Sequence, residues 1–360
     1  MREGQFKNSS GCAIACIFHS DGHLENGTRI KKAMQLMHDR SNGLGGGFVG
    51  YGIYPAHRED YALHLFYDDV TAKEKAECFL EKEFICLKKE EIPTNQCVIN
   101  KDVPLIWRYF IKEEGNKKEF ETKLIQAFFK INQEIQGAYI FSCGKNMGIF
   151  KGVGYPEDIA DFFQLDTYYA STWIAHGRYP TNTPGWWAGA HPFGMLDFAL
   201  VHNGEISSYD TNRRYIEPLG YPCCLLTDTE VITYLLSYLN HEKGLTFEEC
   251  ADILAAPLYS EIDKMEKSKR CYYTQLRKNF GSFLITGPFS IILGHEQGIF
   301  ALNDRLKLRA LMIGQKGQSY YLASEESAVR AMQMELDSIY SLEGGKPFIK
   351  NREVNHYEKG

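Results

Sequence analysis

Gly11-Cys12-Ala13-Ile14-Ala15-Cys16-Ile17-Phe18 is an unbroken, mostly apolar run that follows the polar leader Met1–Gly11. Its length, and the Asp21-Gly22 turn signal just beyond it, predict a β-strand. Cys12 stands at the head of that strand. Cys16 lies four residues on, so both fall on the same face. Free cysteines are usually small buried hydrophobes. Taken alone, Cys12 therefore reads as a packed strand residue, and only segments far away in the chain can change that reading.

Outward from this strand the elements alternate. Residues 28–39 read as a helix, with Ile30, Ala33, Met34 and Met37 on one face. A glycine-rich stretch, 43–50, leads to a strand expected at 51–54. Residues 61–144 follow as β-α-β-β-α-β, the split-βαβ or ferredoxin-like pattern, and read as an inserted subdomain. A short helix near 155–163 comes next. Helices are expected at 228–240, 246–255 and 258–277. The strands GSFLITG, FSIILGH, GIFALND, ALMIG and SYYLAS come after them, and then a helix at 324–333. Strands at both ends with helices between predict an α+β fold of two antiparallel sheets flanked by helices.

The bulk numbers exclude several classes. The 360 residues are 44% apolar and 24% charged with a net charge of −6, which leaves no basic footprint for nucleic acid or anionic membrane. No apolar run is long enough to span a bilayer, and the leader has no apolar core of a secretory signal, so the expected compartment is the cytoplasm. The ten cysteines are scattered without a CxxC pair, which argues against a zinc or disulfide framework. Gly45-Gly46-Gly47-Phe48-Val49-Gly50 fits G-x-G-x-x-G but lacks the strand-before, helix-after setting of a dinucleotide site.

Three more segments carry chemistry: His176-Gly177-Arg178-Tyr179-Pro180-Thr181-Asn182-Thr183, Val201-His202-Asn203-Gly204-Glu205-Ile206, and Leu226-Thr227-Asp228-Thr229-Glu230. Each has a bland reading alone. Asn-Gly is a common hairpin turn, Thr-Asp-Thr-Glu is a helix N-cap box, and a single arginine is most often a surface ion pair. In this order with Cys12, however, they resemble the class II, N-terminal-nucleophile glutamine amidotransferases. Arg40 after its helix, GIFALNDRLKLRALMIG (298–314) and YYLASEESAV (320–329) extend the likeness over nearly the whole chain outside the insertion. KGVGYPEDIADFF (151–163), WIAHGRYPTNTPGWWAGAHPF (173–193) and VHNGEI (201–206) look more narrowly like the amidotransferase subunit of split, archaeal-type glutamate synthase. Ala13 in place of the family's glycine, and Leu308-Arg309-Ala310 in place of its Arg-Pro, are departures.

The resemblance implies an αββα sandwich for residues 12–360, with a ferredoxin-like insertion at about 61–144, and residues 1–11 as a propeptide. Cys12 would then be the mature N-terminus. Its α-amine, with an ordinary pKa of roughly 7.7–8.0, could serve as base for its own thiol. Asn203 and the Gly204 N–H are expected as oxyanion donors. Arg178 and Thr181 would hold glutamine's α-carboxylate, and Asp228 its α-amine. Cys16 reads as packing. His176, His191 and His202 are not expected to be catalytic, and Trp186 and Trp187 suit pocket lining and core packing equally. No cofactor is expected on this chain. FMN and an iron–sulfur cluster would belong to a separate synthase subunit that receives ammonia and makes glutamate from 2-oxoglutarate. Competing readings are a glutaminase subunit of another amidotransferase, such as N-methylglutamate synthase, and a non-catalytic glutamine-binding regulatory module. Amidophosphoribosyltransferase, glucosamine-6-phosphate synthase and asparagine synthetase are disfavoured, since each carries its acceptor domain on the same chain.

Overall fold

A computed structural model describes residues 11–99, 102–179 and 185–353. The leader residues 1–10 and Thr181 lie outside the described residues.

Two antiparallel sheets face each other. The first has seven strands in the order Ser338–Ser341, Met312–Lys316, Ser319–Ala323, Ala13–His19, Thr172–Gly177, Gly46–Tyr51, Met147–Gly152. The second has five, in the order Phe193–Met195, Phe198–Gly204, Phe289–His295, Gly298–Asn303, Phe348–Asn351. The strands Ala13–His19 and Thr172–Gly177 lie against Phe198–Gly204 across the interface. Helices Thr28–Leu36, Pro156–Phe162 and Glu326–Met332 cover the outer face of the first sheet. Helix Asp228–Ser237 covers the second, with Tyr209–Ile216 beside it. The result is the α+β, four-layer αββα sandwich. Every residue of Ala13–His19 is buried, because one face meets helices and the other meets the second sheet. That double burial explains an apolar run where a half-exposed strand would alternate.

Within residues 61–145 a four-stranded antiparallel sheet runs Cys86–Glu91, Leu105–Ile111, Tyr61–Tyr67, Ala138–Lys145. Helices Val70–Glu83 and Lys117–Glu134 form its two crossovers. In chain order the first and third strands are central, and the second and fourth lie at the edges. This is the ferredoxin-like order.

Some local expectations differ from the structure. The strand expected at 51–54 is Gly46–Tyr51, so the glycine run is itself the strand. A Cβ at Gly47 would lie 2.3 Å from the His191 carbonyl oxygen, so these glycines admit neighbouring backbone. GSFLITG forms a 3-10 turn, Gly281–Phe283, instead of a strand. Phe283 and Ile285 are buried, while Asn212 Nδ2 holds the carbonyls of Ser282 and Leu284. Its backbone is thus satisfied without a strand partner. The single helix expected at 258–277 is two, Tyr259–Ile262 and Lys267–Phe280, broken where Glu266 is extended. Helix Tyr209–Ile216 was not legible, since it buries only Asn212 and Ile216.

Candidate active site

Cys12 lies one residue before its strand, between two neighbours that determine its surroundings. The register pairs Ala13 with Gly177, which brings the chain at Arg178 alongside Cys12. The Tyr179 N–H donates to Cys12 Sγ at 3.4 Å. Burial pushes the Cys12 thiol up, and nearby Asp228 adds to this; the Tyr179 N–H and the guanidinium groups of Arg178 and Arg309 pull it down. Cys16 is fully buried, and burial alone raises its thiol, so it is an inert packing residue.

Arg178 is buried, its main chain pinned on both sides. Its N–H donates to the Gly45 carbonyl at 2.9 Å, and its own carbonyl accepts from Ser41 Oγ at 3.1 Å. Opposite stands Asp228 at the first turn of helix Asp228–Ser237, capped by Thr227, whose side chain accepts from Thr229 N–H. Burial works to raise the Asp228 carboxyl. His202 and the N–H groups of Ile206 and Thr229 outweigh it and hold the carboxyl below its ordinary range. His202 Nδ1 lies 3.4 Å from Asp228 Oδ1. The N-cap does not occupy the Asp228 carboxylate, since the capping oxygen belongs to Thr227.

Asn203 and Gly204 end the strand Phe198–Gly204. Asn203 is buried, and its Nδ2 donates to Ser324 Oγ at 3.1 Å. Its Oδ1 has no partner among the described residues. An amide can present either end by a half-turn. Here the nitrogen is anchored on Ser324 by one hydrogen and keeps a second to donate, while the oxygen has no partner among the described residues. Ser324 also accepts from the Ile14 N–H at 3.1 Å and returns its own N–H to the Ile14 carbonyl at 3.0 Å. It thereby ties Asn203 to the strand that follows Cys12. Gly204 has φ of +152°, and a Cβ there would lie 2.0 Å from the Pro288 carbonyl oxygen, so no other residue fits.

Three buried histidines lie behind the site. His176 Nε2 is 3.0 Å from the His202 carbonyl oxygen and 3.2 Å from His191 Nδ1, and His191 Nε2 is 3.3 Å from Thr227 Oγ1. A carbonyl only accepts, so His176 Nε2 carries the proton, His191 Nδ1 accepts, and His191 Nε2 donates to Thr227. Burial lowers His176 to about 3 and drives His191 well below its ordinary value, so both are neutral. They brace the Arg178 strand, the Asn203 strand and the Asp228 helix against one another. Trp187 packs into the core against Phe66 and Phe162.

Sequence reading missed Ser324, Arg309 and the role of His202 as the Asp228 partner. The first two lie more than a hundred residues from the motifs they join. The signal that existed for Ser324 was its place at the end of the SYYLAS strand, next to Cys12's own strand in the sheet.

The chain matches the family model described as glutamine amidotransferases class-II over residues 59–220. That segment contains Arg178, Asn203 and Gly204; Cys12 and Asp228 join them through the fold. A protein of Archaeoglobus fulgidus with no named function is 45% identical over 359 residues, covering 96% of this chain and 94% of its own. An amidophosphoribosyltransferase of Methanocaldococcus jannaschii is 25% identical over 218 residues, covering 59% of this chain and 40% of its own. Among solved structures, the glutamine phosphoribosylpyrophosphate amidotransferase from B. subtilis is similar over 94% of this chain and 47% of its own, at 15% identity and a TM-score of 0.49. This chain thus spans less than half of either of those two enzymes. These matches support a class II glutamine amidotransferase domain in this chain. Among the described residues no helix is long and apolar enough to cross a membrane.

Proposed function

We propose that this chain hydrolyses glutamine to glutamate and ammonia through a γ-glutamyl thioester on Cys12, and passes the ammonia to a separate synthase subunit. The observation that carries the reading is the convergence at Cys12 Sγ of the Tyr179 N–H, Arg178 and Asp228, with Asn203 anchored beside the same strand by Ser324. In the chain as translated the Cys12 nitrogen is an amide and cannot act as a base. Removal of Met1–Gly11 turns it into an α-amine, which takes the thiol proton. Sulfur then bonds to the γ-carboxamide carbon, and the oxyanion receives hydrogen bonds from Asn203 and the Gly204 N–H. Collapse breaks the C–N bond, and the ammonium of Cys12 returns its proton to the leaving nitrogen. Water, deprotonated by the same amine, opens the thioester to release glutamate and restore the thiol.

Arg178, with Thr181, holds the α-carboxylate of glutamine, and the ionised Asp228 holds its α-ammonium. The likeness of 151–163, 173–193 and 201–206 to split glutamate synthase supports the partner as a subunit that makes glutamate from 2-oxoglutarate. FMN and an iron–sulfur cluster would reside on that partner. Intact-mass and N-terminal peptide mapping after exposure to 6-diazo-5-oxo-norleucine tests the reading. A chain that starts at Cys12 and carries one adduct there is expected. An unlabelled Cys12 in a chain with that N-terminus would overturn it. Glutamate formation from 2-oxoglutarate on mixing with the FMN-containing subunit tests the partner.

A further inference from the structure

Arg309 falls where the family has its Arg-Pro, and in this structure its guanidinium reaches the chain at Gly11, just before Cys12. A Cβ placed on Gly11 would lie 3.0 Å from Arg309 Nη1 and 3.9 Å from Arg40 Nη1, so two guanidinium groups flank the chain just before Cys12. They are not equivalent. Arg40 is neutralised by an ion pair with Glu325. Arg309 has no ion-pair partner among the described residues, and its Nε is buried without an acceptor there. Its backbone is fixed by Asp304, whose carboxylate accepts from the N–H groups of Leu306, Leu308 and Arg309. The loop backbone is thus held independently of the Arg309 side chain, which sits at the junction with no ion-pair partner among the described residues.

We propose that Arg309 is a positioning residue of the nucleophile, a fixed positive charge that keeps the Cys12 amine deprotonated and its sulfur anionic. The proposal rests on the reading of Cys12 as an N-terminal nucleophile. A nearby cation disfavours an ammonium and favours a thiolate, which are the two states the first proton transfer requires. The other charged groups that face Cys12 are Arg178 at the end of its strand, Asp228 on the opposite helix, and the Arg40–Glu325 pair. Arg178 and Asp228 are engaged by the two ends of glutamine when substrate binds. Arg309 is then the one whose charge remains uncompensated beside the amine.

The test is the pH dependence of Cys12 alkylation by 6-diazo-5-oxo-norleucine, on chains whose N-terminus is verified by mass as Cys12. Arg309→Met and Arg309→Gln should move the acid limb upward by about one pH unit, a loss of about tenfold in rate on the acid side that narrows at high pH. Arg309→Lys, which keeps the charge, should restore the parent limb. Equal losses at every pH in all three variants, or an unmoved limb in the neutral ones, overturn the proposal. A parent chain that does not label at any pH instead overturns the nucleophile reading itself, so the two failures are distinct. Two neutral variants are used because the Asp304 anchor is to the backbone, which either leaves intact.

Discussion

Replacing Ser324 with alanine should slow turnover far more than it weakens glutamine binding. The hydroxyl accepts from the Ile14 N–H and from Asn203 Nδ2, each at 3.1 Å, while the bond from Ser324 N–H to the Ile14 carbonyl survives the change. Loss of the hydroxyl leaves the Ile14 N–H, in a fully buried strand, without its acceptor, which costs about 1–3 kcal/mol, and the lost amide bond adds about 1 kcal/mol. Urea unfolding should therefore show a loss of about 2–4 kcal/mol. Catalysis responds through Asn203. Removing an oxyanion donor outright costs about 10²–10³ in kcat. A donor that keeps its strand but loses its anchor should cost about tenfold, with KM little changed because the ends of glutamine are left to Arg178 and Asp228. The assay is glutaminase kcat and KM for the parent, Ser324→Ala, Asn203→Ala and the double variant. If Ser324 acts through Asn203, the serine change costs nothing further once Asn203 is alanine. Losses that multiply in the double variant, or a rise in KM with kcat intact, would refute the reasoning.

Two further outcomes are expected. Asp228→Asn removes a carboxylate that His202 and two backbone N–H groups keep ionised, so the charge-assisted contact to the substrate amine is lost. That contact is worth about 1.5–3 kcal/mol, so KM should rise by about 10- to 100-fold; a fall in kcat at constant KM would contradict the assigned role. Lys151 is buried, donates to the Ala188 carbonyl at 2.8 Å, and is lowered by burial to about 7 from 10.5. Between those values the unfolded chain holds a proton that the folded chain lacks, so this side chain makes stability rise with pH from 7 towards 10.5. Between pH 7.5 and 9.5 the parent should gain about 2 kcal/mol relative to Lys151→Met, read as the difference in their urea midpoints. Parallel curves would show that Lys151 keeps its proton in the folded chain.

Chemistry was legible wherever it is carried by short, contiguous strings. The Arg178-Tyr179, His202-Asn203-Gly204 and Thr227-Asp228 segments each hold a local geometry beside Cys12: a buried guanidinium, a glycine at φ of +152°, a helix start. The α+β layering was legible too, because double burial writes continuous apolar runs such as 13–18, and crossover helices write their own period, as at 117–134. Local pattern failed where side chains do not report the environment. Glycines at 46–50 look like a loop but form a strand, because what presses on them is a neighbour's backbone. The apolar run Phe283-Leu284-Ile285 looks like a strand but packs as a turn, because Asn212 takes up the carbonyls of Ser282 and Leu284.

By itself, then, the sequence determined the layer architecture, which follows from apolar runs and helical spacing, and its resemblance to the family singled out Cys12 as the proposed nucleophile and Arg178 and Asp228 as the proposed holds on the two ends of glutamine. Only the tertiary structure decided what holds them in place. Ser324 meets Asn203 across 121 residues, His191 bridges to Thr227, and Arg309 reaches Gly11 from the far end of the chain. A serine, a histidine or an arginine at such distance has no local signature. Its role arises from the register of strands that pair residues hundreds of positions apart, and that register is set by the packing of the whole sandwich.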